Sequence, residues 1–130
     1  MGEHMILADW AILAAIFLPI LTVGLAKYGG RGYDNASPRA WADSLTGWRQ
    51  RAEWAHRNHY ESLPGFAAAV LLAQMLHAPA HRIDVLAWAF IGFRVLYTGA
   101  YIGNVGWLRS LLYALAFICM VRLFELAALM

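Results

Sequence analysis

Apolar and polar positions in this chain fall into long blocks instead of the fine alternation of a half-buried strand. Residues 6–26 are apolar on every side, interrupted by Asp9 near the start and holding Pro19 within. Residues 83–102 and 108–130 form two more such blocks. About 20 mostly apolar residues carry a helix across a bilayer, so each block predicts a span. Residues 66–76 are also apolar but too few to cross alone. A helical pattern, polar at first, resumes at Trp41 and continues through Arg57 and Asn58 into that block. One long second helix, starting in the cytoplasm and entering the membrane near Glu61, satisfies both halves. Pro64, which removes one backbone hydrogen bond, would kink or locally break it. Residues 77–80 and 103–106 read as turns. The connection 27–58 is polar and carries Gly29, Gly30, Gly32 and the turn-like Asp34, Asn35, Ala36, Ser37, Pro38 run. The expected fold is all-α: an integral membrane four-helix bundle, left-handed and up-down, with its second helix extended into the cytoplasm. It forms a single domain over 1–130, with spans near 6–26, 61–77, 83–102 and 108–130.

Composition strengthens the membrane reading. The chain is 62% hydrophobic and 14% charged, against roughly 45–50% and about 25% in soluble domains. Cys119 is the single cysteine and lies in an apolar run, so neither an intrachain disulfide nor a thiolate metal site is expected. The first apolar run has no basic residues before it and leads into Lys27 instead of a small-residue cleavage site, so it is expected to stay as a span.

Charge placement sets the orientation. Lys27, Arg31, Arg39, Arg49, Arg51, Arg57 and Arg109 fall on the side of the first and third connections, and Arg82 alone on the other. Basic loops stay cytoplasmic. Both termini are therefore expected outside, with the functional face in the cytoplasm.

Arg94 is the most expensive residue in the sequence. It lies near the middle of the third span, roughly 16 Å in at 1.5 Å per residue, where a charge costs at least about 3 kcal/mol. Tyr97, Thr98 and Tyr101 follow on the same helical stripe. A purely structural pairing with Glu61 is the plain alternative to a functional role. Arg57 and Glu61, four residues apart with Asn58 beside Arg57, predict a partly desolvated polar pocket where the second helix meets lipid. Arg109 and Ser110 open the fourth helix, whose free N–H groups favour an anion, and Tyr113 follows one turn on. Three guanidinium groups, one carboxylate and several hydroxyls suit a small zwitterion with more negative than positive charge. His56 and His59 have no carboxylate cluster around them, so no metal is expected, and no nucleic-acid partner either. Arg122 and Glu125 predict a local ion pair, with Asp9 at similar depth.

The run Ala55, His56, Arg57, Asn58, His59, Tyr60, Glu61, Ser62, Leu63, Pro64, Gly65, Phe66 resembles the second-helix signature of the MAPEG family, the membrane-associated proteins in eicosanoid and glutathione metabolism. The Arg94, Tyr97, Thr98, Tyr101 stripe and the Arg109, Ser110, Tyr113 segment are similar to its third and fourth helices, in a bacterial-type member. The resemblance implies a homotrimer binding glutathione between subunits near the cytoplasmic face. It also implies that Lys27, Arg57, Asn58, Glu61, Arg94, Tyr101 and Tyr113 bind glutathione while Arg109 and Ser110 serve the chemistry. Trp54 and Tyr97 depart from the pattern of the prostaglandin E synthases, with Arg51 one turn before Trp54 as a candidate substitute. The implied activity is a glutathione-dependent transferase or peroxidase acting on a lipophilic substrate from the bilayer. Two other classes remain: a non-enzymatic lipid-binding or scaffold protein of the same fold, and a small multidrug-type transporter. The transporter would centre on an acidic residue midway along the first span, whereas Asp9 lies at its end.

Overall fold

The computed structural model describes residues 4–28, 30 and 32–130. Gly29 and Arg31, named above in the polar connection, lie outside the described residues. Five helices follow one another: α1 (Leu7–Lys27), α2 (Pro38–Asp43), α3 (Gly47–Met75), α4 (Ala80–Ile102) and α5 (Gly106–Ala128). Three of them, α1, α4 and α5, are long and apolar enough to cross a membrane. The apolar half of α3 does not reach that length, as its charged N-terminal half shortens the window.

The long helices α1, α3, α4 and α5 pack together through small residues. Ala8, Ala11, Ala69, Ala73 and Ala87 are completely buried, which lets backbones approach closely where lipid supplies no hydrophobic drive between helices. Phe66 and Phe90 stack in this core with ring centroids 4.0 Å apart. Many other large apolar side chains point the other way. Phe17, Leu21, Leu72, Val95 and Ile118 are exposed, the arrangement expected of a chain whose solvent is hydrocarbon.

The helix that was expected to begin at Trp41 is in fact two. α2 ends at Asp43, and the Ser44 hydroxyl donates to the Trp41 carbonyl at 2.6 Å. α3 then starts at Gly47, whose φ of +64° lies in the left-handed region that favours glycine. Helix α3 runs unbroken through Pro64, and α1 through Pro19.

Both short turns use one device. His77 and Asn104 sit at φ +61°, and the following N–H groups reach back, Ala78 to Ala73 at 3.0 Å and Val105 to Ala100 at 2.9 Å. This 6→1 bond is the Schellman C-cap, and it reverses the chain within three residues.

The α1 N-terminus is tied to its neighbours. Asp84 of α4 accepts from the Ala8 N–H at 2.7 Å, one of the donors a helix start leaves unpaired. Asp9 accepts from the Ile6 N–H at 2.8 Å and from the Gln74 amide. Asp9 therefore joins α1 to α3 and does not meet Arg122, which pairs with Glu125 as its spacing predicts.

Candidate functional site

Arg94 organises the site. It is 1% exposed, and its Nη2 donates to Asn58 Oδ1 at 2.8 Å and to His59 Nδ1 at 2.9 Å. The guanidinium lies 4.3 Å from the centre of the Tyr97 ring. Glu61 does not pair with it. Instead Glu61 accepts from Asn58 Nδ2 at 3.2 Å, so Asn58 stands between the two charges. Among the described residues no carboxylate lies within 4.0 Å of Arg94, and its Nε is buried without a hydrogen-bond partner. Among the described residues, then, no carboxylate pairs with this buried guanidinium.

Hydrogen-bond direction fixes the state of His59. Arginine can only donate, so His59 Nδ1 must accept and its proton sits on Nε2. That nitrogen lies 2.8 Å from Thr98 Oγ1, whose own hydroxyl donates to the Arg94 carbonyl at 2.9 Å. A closed, one-way circuit of neutral His59, Thr98 and Arg94 results. Sequence spacing sets His59 beside His56 as a metal pair without further ligands and gives it no other role. The two in fact turn to different neighbours, His56 Nδ1 bonding the Pro19 carbonyl at 2.7 Å. A usable signal did exist: His59 is four residues after Ala55 and seven before Phe66, in the register of the buried stripe of α3.

Beside Arg94 lies a cavity of about 160 Å³, lined by Asn58, Glu61, Arg94 and Tyr113 together with Phe90 and Met120. Tyr113 also lines an adjoining recess of about 250 Å³ with Tyr97, Tyr101, Arg109 and Ser110. There the Arg109 guanidinium sits 4.7 Å from the Tyr101 ring centre, in the first turns of α5. Asn58, Glu61, Arg94, Tyr101, Arg109, Ser110 and Tyr113 thus form one continuous polar surface.

Lys27 and Arg57 stand apart from that surface. They line a separate cavity of about 650 Å³ with Glu53 and His56 of α3 and Arg39 of α2. Arg57 does not share a pocket with Glu61 as its spacing suggested. It bonds Asp43 at 2.9 Å and Glu53 at 3.0 Å, and these two hydrogen bonds, Asp43 foremost, raise its pKa above the ordinary arginine value. Lys27 donates to the Tyr33 hydroxyl at 3.0 Å. Arg51, the candidate substitute near Trp54, donates to the Ile102 carbonyl at 3.0 Å and so caps the negative end of α4.

The MAPEG family model matches residues 7–129. No curated protein and no solved structure matches the chain.

Proposed function

The chain belongs to the MAPEG family of membrane proteins, and on that premise we propose that it binds glutathione and uses it as a transferase or peroxidase on a lipophilic electrophile. The observation that carries this reading is Arg94, a buried cation beside a cavity with no carboxylate of the described residues within 4.0 Å of it. Glutathione at neutral pH has two carboxylates and one ammonium, which matches two arginines and Glu61. Arg94 and Asn58 would take a carboxylate, and Glu61 the ammonium or a peptide N–H. The sulfur would lie at Arg109 and Ser110. A free thiol has a pKa near 8.5, and the thiolate is the nucleophile. Lowering that pKa by one unit takes about 1.4 kcal/mol, within reach of a guanidinium at a helix N-terminus. The lipophilic partner would enter from the bilayer past Phe117 and Met120. Attack by sulfur forms the new bond, and the leaving group departs with the electron pair of the bond broken.

Small-molecule sites enclose about 300–1,000 Å³, and the cavity at Arg94 is only about 160 Å³. That shortfall, together with the separation of Lys27 and Arg57, supports a homotrimer. In it the α1/α3 face of one protomer closes the α4/α5 recess of the next, with the apolar half of α3 as the fourth span of a single 1–130 domain. Purified protein titrated with glutathione, with the thiolate absorbance and the detergent-corrected mass followed on one sample, tests both parts. We expect saturable thiolate absorbance at neutral pH and a mass of three chains. Absence of binding at millimolar glutathione would leave the lipid-binding scaffold as the better reading, and a monomeric mass in nanodiscs would remove the trimer.

The seven-to-one distribution of basic residues supports a multi-pass chain with both termini outside and this surface in the cytoplasm, and the resemblance to bacterial-type members supports a bacterial inner membrane. Ser44 lies in the basic connection. On a Cys119→Ala background, Ser44→Cys should resist an impermeant thiol reagent in intact cells and react after permeabilisation. Ready labelling from outside would reverse the orientation.

A further inference from the structure

At the end of the molecule opposite Arg109, the start of α4 and the end of α5 enclose a groove of about 320 Å³. It is lined by Arg82, Arg122 and Glu125 and by the apolar Val85, Leu86, Leu126 and Leu129. Arg122 is paired with Glu125 at 2.5 Å and both remain exposed. Arg82 is exposed and makes no ion pair among the described residues. Two guanidinium groups against one carboxylate leave the groove with one net positive charge, before any charge on His81. Arg122 lies six residues inside the end of α5, about 9 Å at 1.5 Å per residue, so its long side chain spans the level where hydrocarbon gives way to headgroups.

We propose that this groove binds a phospholipid of single net negative charge, its phosphodiester held between Arg82 and Arg122 and an acyl chain running inward along Val85 and Leu86. Charge complementarity selects the headgroup. A guanidinium pair matches phosphodiester oxygens with charge-assisted hydrogen bonds, whereas a headgroup ammonium would add a second cation beside Arg82. The apolar lining distinguishes a lipid from a free anion, since a soluble phosphate would leave it uncovered. The site is independent of glutathione and rests only on the membrane setting of α4 and α5.

The test is native mass spectrometry of the full-length protein released from nanodiscs of equal phosphatidylglycerol and phosphatidylcholine. One phosphatidylglycerol should be retained per chain in preference to phosphatidylcholine. The Arg82→Gln/Arg122→Gln variant should retain about tenfold less, as expected for loss of charge-assisted bonds. Arg82→Gln alone, which disturbs no ion pair, should show a smaller loss in the same direction and serves if the double variant does not fold. Glycerol 3-phosphate at millimolar concentration should displace nothing. Equal retention of the two lipids, or unchanged retention in the arginine variants, would overturn the proposal. Displacement by glycerol phosphate would replace the lipid with a soluble anion and equally overturn it.

Discussion

Replacing Arg94 by methionine is expected to lower glutathione affinity about ten- to hundredfold while leaving the folded state close to wild-type stability. The first half follows from charge: a hydrogen bond to an ionised group contributes about 1.5–3 kcal/mol, and each 1.4 kcal/mol is tenfold in affinity. The second half follows from the cost of burying a guanidinium without a carboxylate partner, which an apolar side chain of similar length avoids. Against that gain stand Asn58 Oδ1 and His59 Nδ1, each losing its donor. The circuit through His59 gives an internal control. His59→Asn keeps an acceptor near the Nδ1 position and should hold affinity near wild type. His59→Gln extends past it, keeps a partner for Thr98 and leaves Arg94 without this acceptor, so affinity should fall about tenfold. Isothermal titration with glutathione alongside thermal unfolding separates the two effects. If Arg94→Met unfolds the protein while binding in the remaining folded fraction is unchanged, Arg94 is a structural ion and not a ligand for an anion. Equal behaviour of the two His59 variants would remove the positioning role of that residue.

Arg109→Ala is expected to reduce turnover of a generic electrophile about a hundredfold or more, the scale of losing one preorganised group at a developing charge. Binding should suffer far less, since Asn58, Glu61 and Arg94 are untouched. Thiolate absorbance at neutral pH should disappear in parallel with turnover. Raising the pH restores thiolate independently of the arginine, so the variant should recover part of its rate as pH rises toward the free thiol pKa near 8.5. A variant that keeps its neutral-pH absorbance and rate would place the sulfur elsewhere on the surface.

Much of this architecture is legible in the sequence because lipid is a demanding solvent. Backbone groups must be satisfied inside each segment, so an apolar block of about 20 residues has few solutions other than a helix. Residues 6–26, 83–102 and 108–130 correspond closely to α1, α4 and α5. Arg94 was conspicuous for the same reason, as a charge in an apolar run needs an explanation in chemistry. The stripe of Tyr97, Thr98 and Tyr101 followed from the 100° step between residues, which is a property of one helix alone.

The partners of those residues were a matter for tertiary structure. Helical spacing says that Arg57 and Glu61 share a face, but not that Asp43, on the separate helix α2, lies closer to Arg57. The break that creates α2 depends on Gly47 adopting a positive φ, which a helical pattern of side chains does not encode. Asn58 and His59 are adjacent in sequence, about 100° apart around α3, yet both accept from Nη2 of Arg94 on α4. Lys27 and Arg57 line one cavity while Asn58, Glu61 and Arg94 line another. Periodicity determines which residues a helix presents together; only the packing of one helix on another decides what each of them meets.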